Sequence, residues 1–241
     1  MNKYSVHLFV SYKEEGMWVL NKLKEFYNGS IYLSLLNNNP NNEILLQKAQ
    51  SLFDINVTYV ENMGTDQFGF YHTFKKDNLN TDWILYLHDK RGDKQQWLEQ
   101  LIDPLKAVNS KQLSNNNIGI ISSNTHKHKV MSVNDLVLHH GNIGFKYRKS
   151  LVQSAQTIIW FKELQRILLS KHNLIKEEKL YPEFCAGNVF IARKNVISKA
   201  HDCIYKEFFN PFYRPDGEVG HGLERFYFYV SECLGYENLY I

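Results

Sequence analysis

The sequence predicts an α/β fold with a mostly parallel central sheet and helices on both faces. Three observations carry that expectation. Short apolar runs alternate with helix-period segments across the first half of the chain. Asn- and Gly-bearing turns punctuate them. The 241 residues, 44% hydrophobic, suffice to bury a sizeable core without staples.

Taken in order, Val6 to Ser11 reads as a buried strand. Glu14 to Tyr27 reads as a helix, with Trp18, Leu20, Leu23 and Phe26 near helical spacing and Asn28-Gly29 as its stop. Ile31 to Leu36 is a second strand, and the Asn-rich run from Asn37 to Asn42 forces a loop. Glu43 to Phe53 is a helix, Asn56 to Glu61 a third strand, and Phe68 to Lys76 a helix. Trp83 to Leu87 and Ile118 to Ser122 are the fourth and fifth strands. Parallel strands need crossover helices, and this alternation supplies them.

The second half changes character. Residues 124–150, with His126, His128, His139, His140, Gly141 and Gly144, have no clean period and read as a long loop or lid. Leu151 to Leu169 reads as a helix, Gly187 to Arg193 as a strand, Pro211 to Pro215 as a loop, and Gly217 to Leu234 as a helix closed by Gly235. With no repeat and no flexible linker, residues 1–241 read as a single domain, divided into a front half, 1–123, and an elaborated back half, 124–241.

Composition excludes several classes. A net charge of +3 is no nucleic-acid footprint, and 14% aromatic residues exclude general disorder. Cys185, Cys203 and Cys233 are odd in number and form no C-x-x-C pair, which argues for reduced thiols in a cytoplasmic protein. No secretory leader or membrane-spanning run is present, although the slightly basic balance tolerates peripheral contact with an anionic membrane.

Ligands of open α/β sheets bind outside the carboxyl ends of the strands. Ser11 falls at such an end, and three polar clusters mark the candidate site. In the first, Asn62-Met63-Gly64-Thr65-Asp66, Gly64 allows close backbone approach, Asn62 is a hydrogen-bond candidate for a base or ribose, and Asp66 can face the pocket. A plain turn with Asp66 as helix cap explains the same residues. In the second, His88-Asp89-Lys90-Arg91, Asp89 is a candidate ligand for a divalent cation, manganese or magnesium, and Lys90 or Arg91 for phosphate oxygens. A charged surface turn is the alternative. The third runs from Asp216 to Arg225. Asp216 and Glu218 suit a helix N-terminus, His221 and Arg225 share one face, and Gly217, Gly220 and Gly222 each cost about 1 kcal/mol against Ala unless something approaches closely. The loop histidines read as solvated, and Phe226, Tyr227, Phe228 and Tyr229 as helix packing.

These clusters occur in an order that resembles the rhamnan synthesis protein F family of glycosyltransferases. That family shows N-x-G-R-D, then L-H-x-K-K, then G-x-x-F-x-x-R, then D-G-x-x-x-H-x-x-E-R and a G-Y pair. Here they read Asn62 to Asp66, Leu87 to Arg91, Gly187 to Arg193, Asp216 to Arg225, and Gly235-Tyr236. Thr65 replaces the family's Arg, and 124–150 is elaborated. The resemblance implies a GT-A-like fold whose front half binds a nucleotide-sugar donor and whose back half faces a saccharide or lipid-linked saccharide acceptor. It implies Asp216 as catalytic base with Glu218 as second choice. It implies donor contacts from Ser11, Asn62, Gly64, Asp66, His88, Lys90 and Arg225, with Asp89 and His221 as metal ligands if a cation is used. The D-x-D metal motif usual at the end of the fourth strand is degenerate here, His88-Asp89-Lys90, which leaves Lys90 to stabilise the diphosphate leaving group. A catalytically inactive nucleotide-sugar-binding module of a polysaccharide assembly complex is the alternative.

Overall fold

A seven-stranded sheet organises the chain. The structure, a computed structural model, describes residues 4–63, 66–77, 79, 81–128, 148–174, 182–209 and 219–241. The strands are β1 (Ser5–Val10), β2 (Ile31–Leu36), β3 (Ile55–Val60), β4 (Trp83–His88), β5 (Ile118–Ser122), β8 (Phe190–Arg193) and β9 (Glu237–Tyr240), in the order β3-β2-β1-β4-β8-β5-β9. Two short strands, β6 (Lys127–His128) and β7 (Phe184–Cys185), pair separately. The helices are α1 (Lys13–Lys24), α2 (Asn42–Leu52), α3 (Asp66–Asp77), α4 (Gln95–Ile102), α5 (Ser110–Leu113), α6 (Arg148–His172), α7 (Lys194–Asp202) and α8 (Val219–Cys233).

β1 to β4 pair in parallel, in register at Val6 with Ile31 and at Leu8 with Leu87. β8 runs against both neighbours, with Ile191 opposite Leu85 and Ile121, and β9 returns parallel to β5. The sheet is thus mostly parallel, as the front half predicts, with one reversed strand. The stretch from Gly187 also starts its strand later than expected: Gly187 and Asn188 have φ of 110° and 54°, so regular pairing begins at Phe190.

Both faces carry helices, and the alternation of β1 shows which. Successive strand side chains point oppositely. Phe9 abuts Gly69 of α3, and His7 on the same face reaches Ser34, which bonds Thr73 of α3 at 2.6 Å. Val10 on the other face meets Gly16 of α1, which also touches Leu45 of α2. Leu8, Leu33, Leu85, Leu87, Ile120 and Ile191 are fully buried between these layers. On α8, Tyr227, Phe228 and Tyr229 are buried as expected. The close approach that the glycines of this helix imply is made at Gly222 by α6, since a Cβ there would lie 2.9 Å from Trp160. Most of the stretch expected to form a lid, 129–147, lies outside the described residues; β6 occupies 127–128 and α6 starts at Arg148.

Candidate functional site

β1 pairs with β2 on one side and with β4 on the other, so the chain's winding reverses between β1 and β4. At such a switch point the two following connections leave toward opposite faces and open a crevice at the carboxyl ends of the strands. A cavity of ≈ 900 Å³ lies there. Ser11 and Tyr12 reach it from β1, Asn62 from β3, Asp66 from the first turn of α3, and His88, Asp89 and Lys90 from β4. Six of the sequence-predicted positions therefore meet in one place: Ser11, Asn62, Asp66, His88, Asp89 and Lys90. Gly64, Asp216 and Glu218 lie outside the described residues.

Asp89 is a brace. Its Oδ2 accepts the backbone N–H groups of Ser11 at 2.7 Å and Tyr12 at 2.6 Å, and its Oδ1 accepts the Ser11 hydroxyl at 3.2 Å. Its own N–H donates to the carbonyl of Phe9 at 3.1 Å. The side chain thus satisfies amides leading into α1, a task usually left to a local cap residue, and ties that turn to β4. Burial pushes the Asp89 carboxyl up to about 6, against the opposing pull of the Tyr12 and Ser11 amides.

His88 is 2% exposed. Its Nδ1 lies 2.7 Å from the carbonyl of Asp89 and its Nε2 lies 2.7 Å from the carbonyl of Gly187. Both ring nitrogens face carbonyl oxygens, which pins the ring between the end of β4 and the Gly187 turn. The Asp66 carboxylate stands 3.7 Å from Nε2. Asp66 Oδ2 also accepts the Tyr86 hydroxyl at 2.6 Å and the Asn188 amide at 3.4 Å. Burial pushes the Asp66 carboxyl up, but His88, Lys90 and the Tyr86 hydroxyl outweigh it, and the group sits below the usual carboxylate range. It keeps 22% exposure, so it stays ionised at the cavity wall.

The rim also carries cations. Lys90, Arg91 and Lys94 all line the cavity. Lys90 Nζ sits 4.9 Å above the ring of Trp97, within cation–π range. Trp97 is held in turn by Gly187, where an added Cβ would lie 2.2 Å from the indole. One turn therefore positions both His88, through its carbonyl, and Lys90, through Trp97.

Asn37, Asn38 and Asn39 also line the cavity, a contribution that the sequence reading missed by treating the run only as a loop. Asn39 donates to the carbonyl of Ser11 at 2.7 Å, Asn37 N–H donates to Val60 at 2.7 Å, and Asn38 has φ of 60°. The signal was available: amide side chains at a strand end combine turn chemistry with donors and acceptors for a ligand.

Arg225 and His221 are elsewhere, on α8. Arg225 pairs with Glu224 at 3.3 Å, donates to the His221 carbonyl and lies 4.2 Å over the Phe184 ring. Glu224 accepts the N–H of Gly187, so this helix supports the turn from behind. Neither Arg225 nor His221 lines the cavity. Among the described residues no group of three or more His, Cys, Asp or Glu side chains is arranged to hold a metal ion. With both Asp89 oxygens engaged by the chain's own donors, the end of β4 is poorly disposed to the divalent cation that the resemblance leaves open. No helix among the described residues is long and apolar enough to cross a membrane. No protein-family model and no curated protein sequence matches the chain.

Proposed function

We infer that this chain is a glycosyltransferase of GT-A-like architecture, a hexosyl- or deoxyhexosyl-transferase of surface polysaccharide or glycan assembly. It moves a sugar from a nucleotide-activated donor to a saccharide or lipid-linked saccharide acceptor. The observation that carries the reading is the convergence of Ser11, Asn62, Asp66, His88 and Lys90 on one cavity at the β1–β4 switch point. The lining amides suit a base and ribose, the cations suit phosphates, and the ionised carboxylate suits sugar hydroxyls.

In the reaction the acceptor oxygen forms a bond to the anomeric carbon as the bond to the diphosphate breaks. The acceptor proton passes to a carboxylate, assigned here to Asp216 with Glu218 as second choice, and the nucleoside diphosphate leaves. Lys90 meets the charge that grows on the leaving oxygen. A positioned base contributes typically ~10²–10⁴-fold. Asn caps helices nearly as well as Asp, so Asp216→Asn separates catalysis from capping. Nucleoside diphosphate release from a panel of nucleotide sugars, with mono- and disaccharide acceptors, tests the reading. One donor is consumed, and Asp216→Asn loses turnover by that factor at an unchanged melting temperature. A panel in which no donor is consumed contradicts it.

A further inference from the structure

We propose that the cavity binds a nucleoside diphosphate without a divalent cation, its phosphates neutralised by Lys90 together with Arg91 and Lys94. The inference rests on the donor site assigned above and adds how that site manages charge.

Two observations carry it. First, the described carboxylates that line the cavity are already engaged. A divalent cation takes about six oxygen ligands and needs carboxylate oxygens turned toward it. Asp89 is 5% exposed and spends both oxygens on Ser11 and Tyr12. Coordination through Oδ2 would strip two backbone amides of their acceptor at the start of α1, and coordination through Oδ1 would compete with the Ser11 hydroxyl. Asp66 Oδ2 faces the His88 ring and accepts from Tyr86 and Asn188. A dication beside Asp66 would also stand close to Lys90, whose charge already acts on that carboxylate.

Second, positive charge is left over at the rim. Among the described residues Lys90, Arg91 and Lys94 take part in no ion pair. Lys75, Lys106, Lys127 and Lys206, by contrast, pair with Asp202, Asp103, Glu183 and Glu61. Three side-chain cations at a concave opening, facing Asp66 in the wall and Glu15, which accepts the Gly92 N–H, as the described carboxylates that are not fully enclosed, leave a positive excess that focuses a potential into it. Lys90 is the fixed member, stacked on Trp97, while Arg91 and Lys94 are exposed and can close over a bound anion. A diphosphate brings the two to three negative charges that such a rim matches.

The test is calorimetric titration of the full chain with UDP, GDP, CDP and dTDP, in EDTA and then in manganese or magnesium. One diphosphate binds in EDTA, with a Kd within about twofold of its value with the metal. Lys90→Met weakens it about tenfold or more. Lys94→Ala, at an exposed position with no packing role, weakens it severalfold with the fold intact by circular dichroism. Binding that appears only with the metal overturns this inference and leaves the glycosyltransferase reading standing. Unchanged affinity in both variants also overturns it. Absence of binding under every condition overturns both.

Discussion

Asp89 joins two strand ends and a helix start through one carboxylate, so its loss is felt at all three. Asp89→Ala leaves two backbone amides without their acceptor, a cost of about 2–4 kcal/mol. Urea unfolding measures it as a lowered midpoint, and Asp89→Asn, which keeps one acceptor oxygen, falls between the alanine variant and wild type. A wild-type midpoint for Asp89→Ala would contradict the brace. Asp66 governs the acid side. Its folded pKa is depressed, so the stability it contributes is present above the unfolded carboxylate value, about 4, and is lost as pH falls through the folded value. Unfolding titrations from pH 7 down to pH 2 show this limb, and Asp66→Asn flattens it; an identical limb in the variant would show that the His88–Asp66 pairing contributes nothing.

At the scale of elements, β1 to β5 and α1 to α3 were legible because each is an apolar run or a helical period bounded by turn residues. The reversed strand was not. Ile191 and Ala192 read as strand in either direction, so the apolar run alone does not give its pairing against β4 and β5. β9 was missed because Glu237-Asn238-Leu239-Tyr240 carries little strand signal of its own. It is recruited by the free edge of β5, through Glu237 N–H to the Asn117 carbonyl at 2.7 Å and Ile241 N–H to the Ser122 carbonyl at 2.9 Å. Tyr240 adds a ring stack on Phe228, with centroids 6.0 Å apart. Deleting residues 237–241 therefore bares the edge of β5 and part of the α8 core. The expected result is a lower thermal midpoint and faster aggregation, read by light scattering during a thermal ramp. A shortened chain that melts and scatters like the full one would make β9 an ornament of the fold.

For the whole molecule, the winding order decides where chemistry is possible. The sequence names Ser11, Asn62, Asp66, His88, Asp89 and Lys90 from strand ends, and the topology brings all six to one crevice. It does not separate their tasks, because tasks depend on partners far away in sequence: Asp89 looks like a ligand until Ser11 and Tyr12 are seen to occupy it. Arg225 looks like a phosphate contact until Glu224 and Phe184 are seen beside it. The central claim is that the β1–β4 crevice is the nucleotide site. A crystal structure of the chain soaked with the nucleoside diphosphate that binds best tests it most directly. The account predicts the diphosphate within hydrogen-bond reach of Lys90 and the base beside Asn37 to Asn39. Density for the nucleotide anywhere outside the carboxyl ends of β1 and β4 would contradict it.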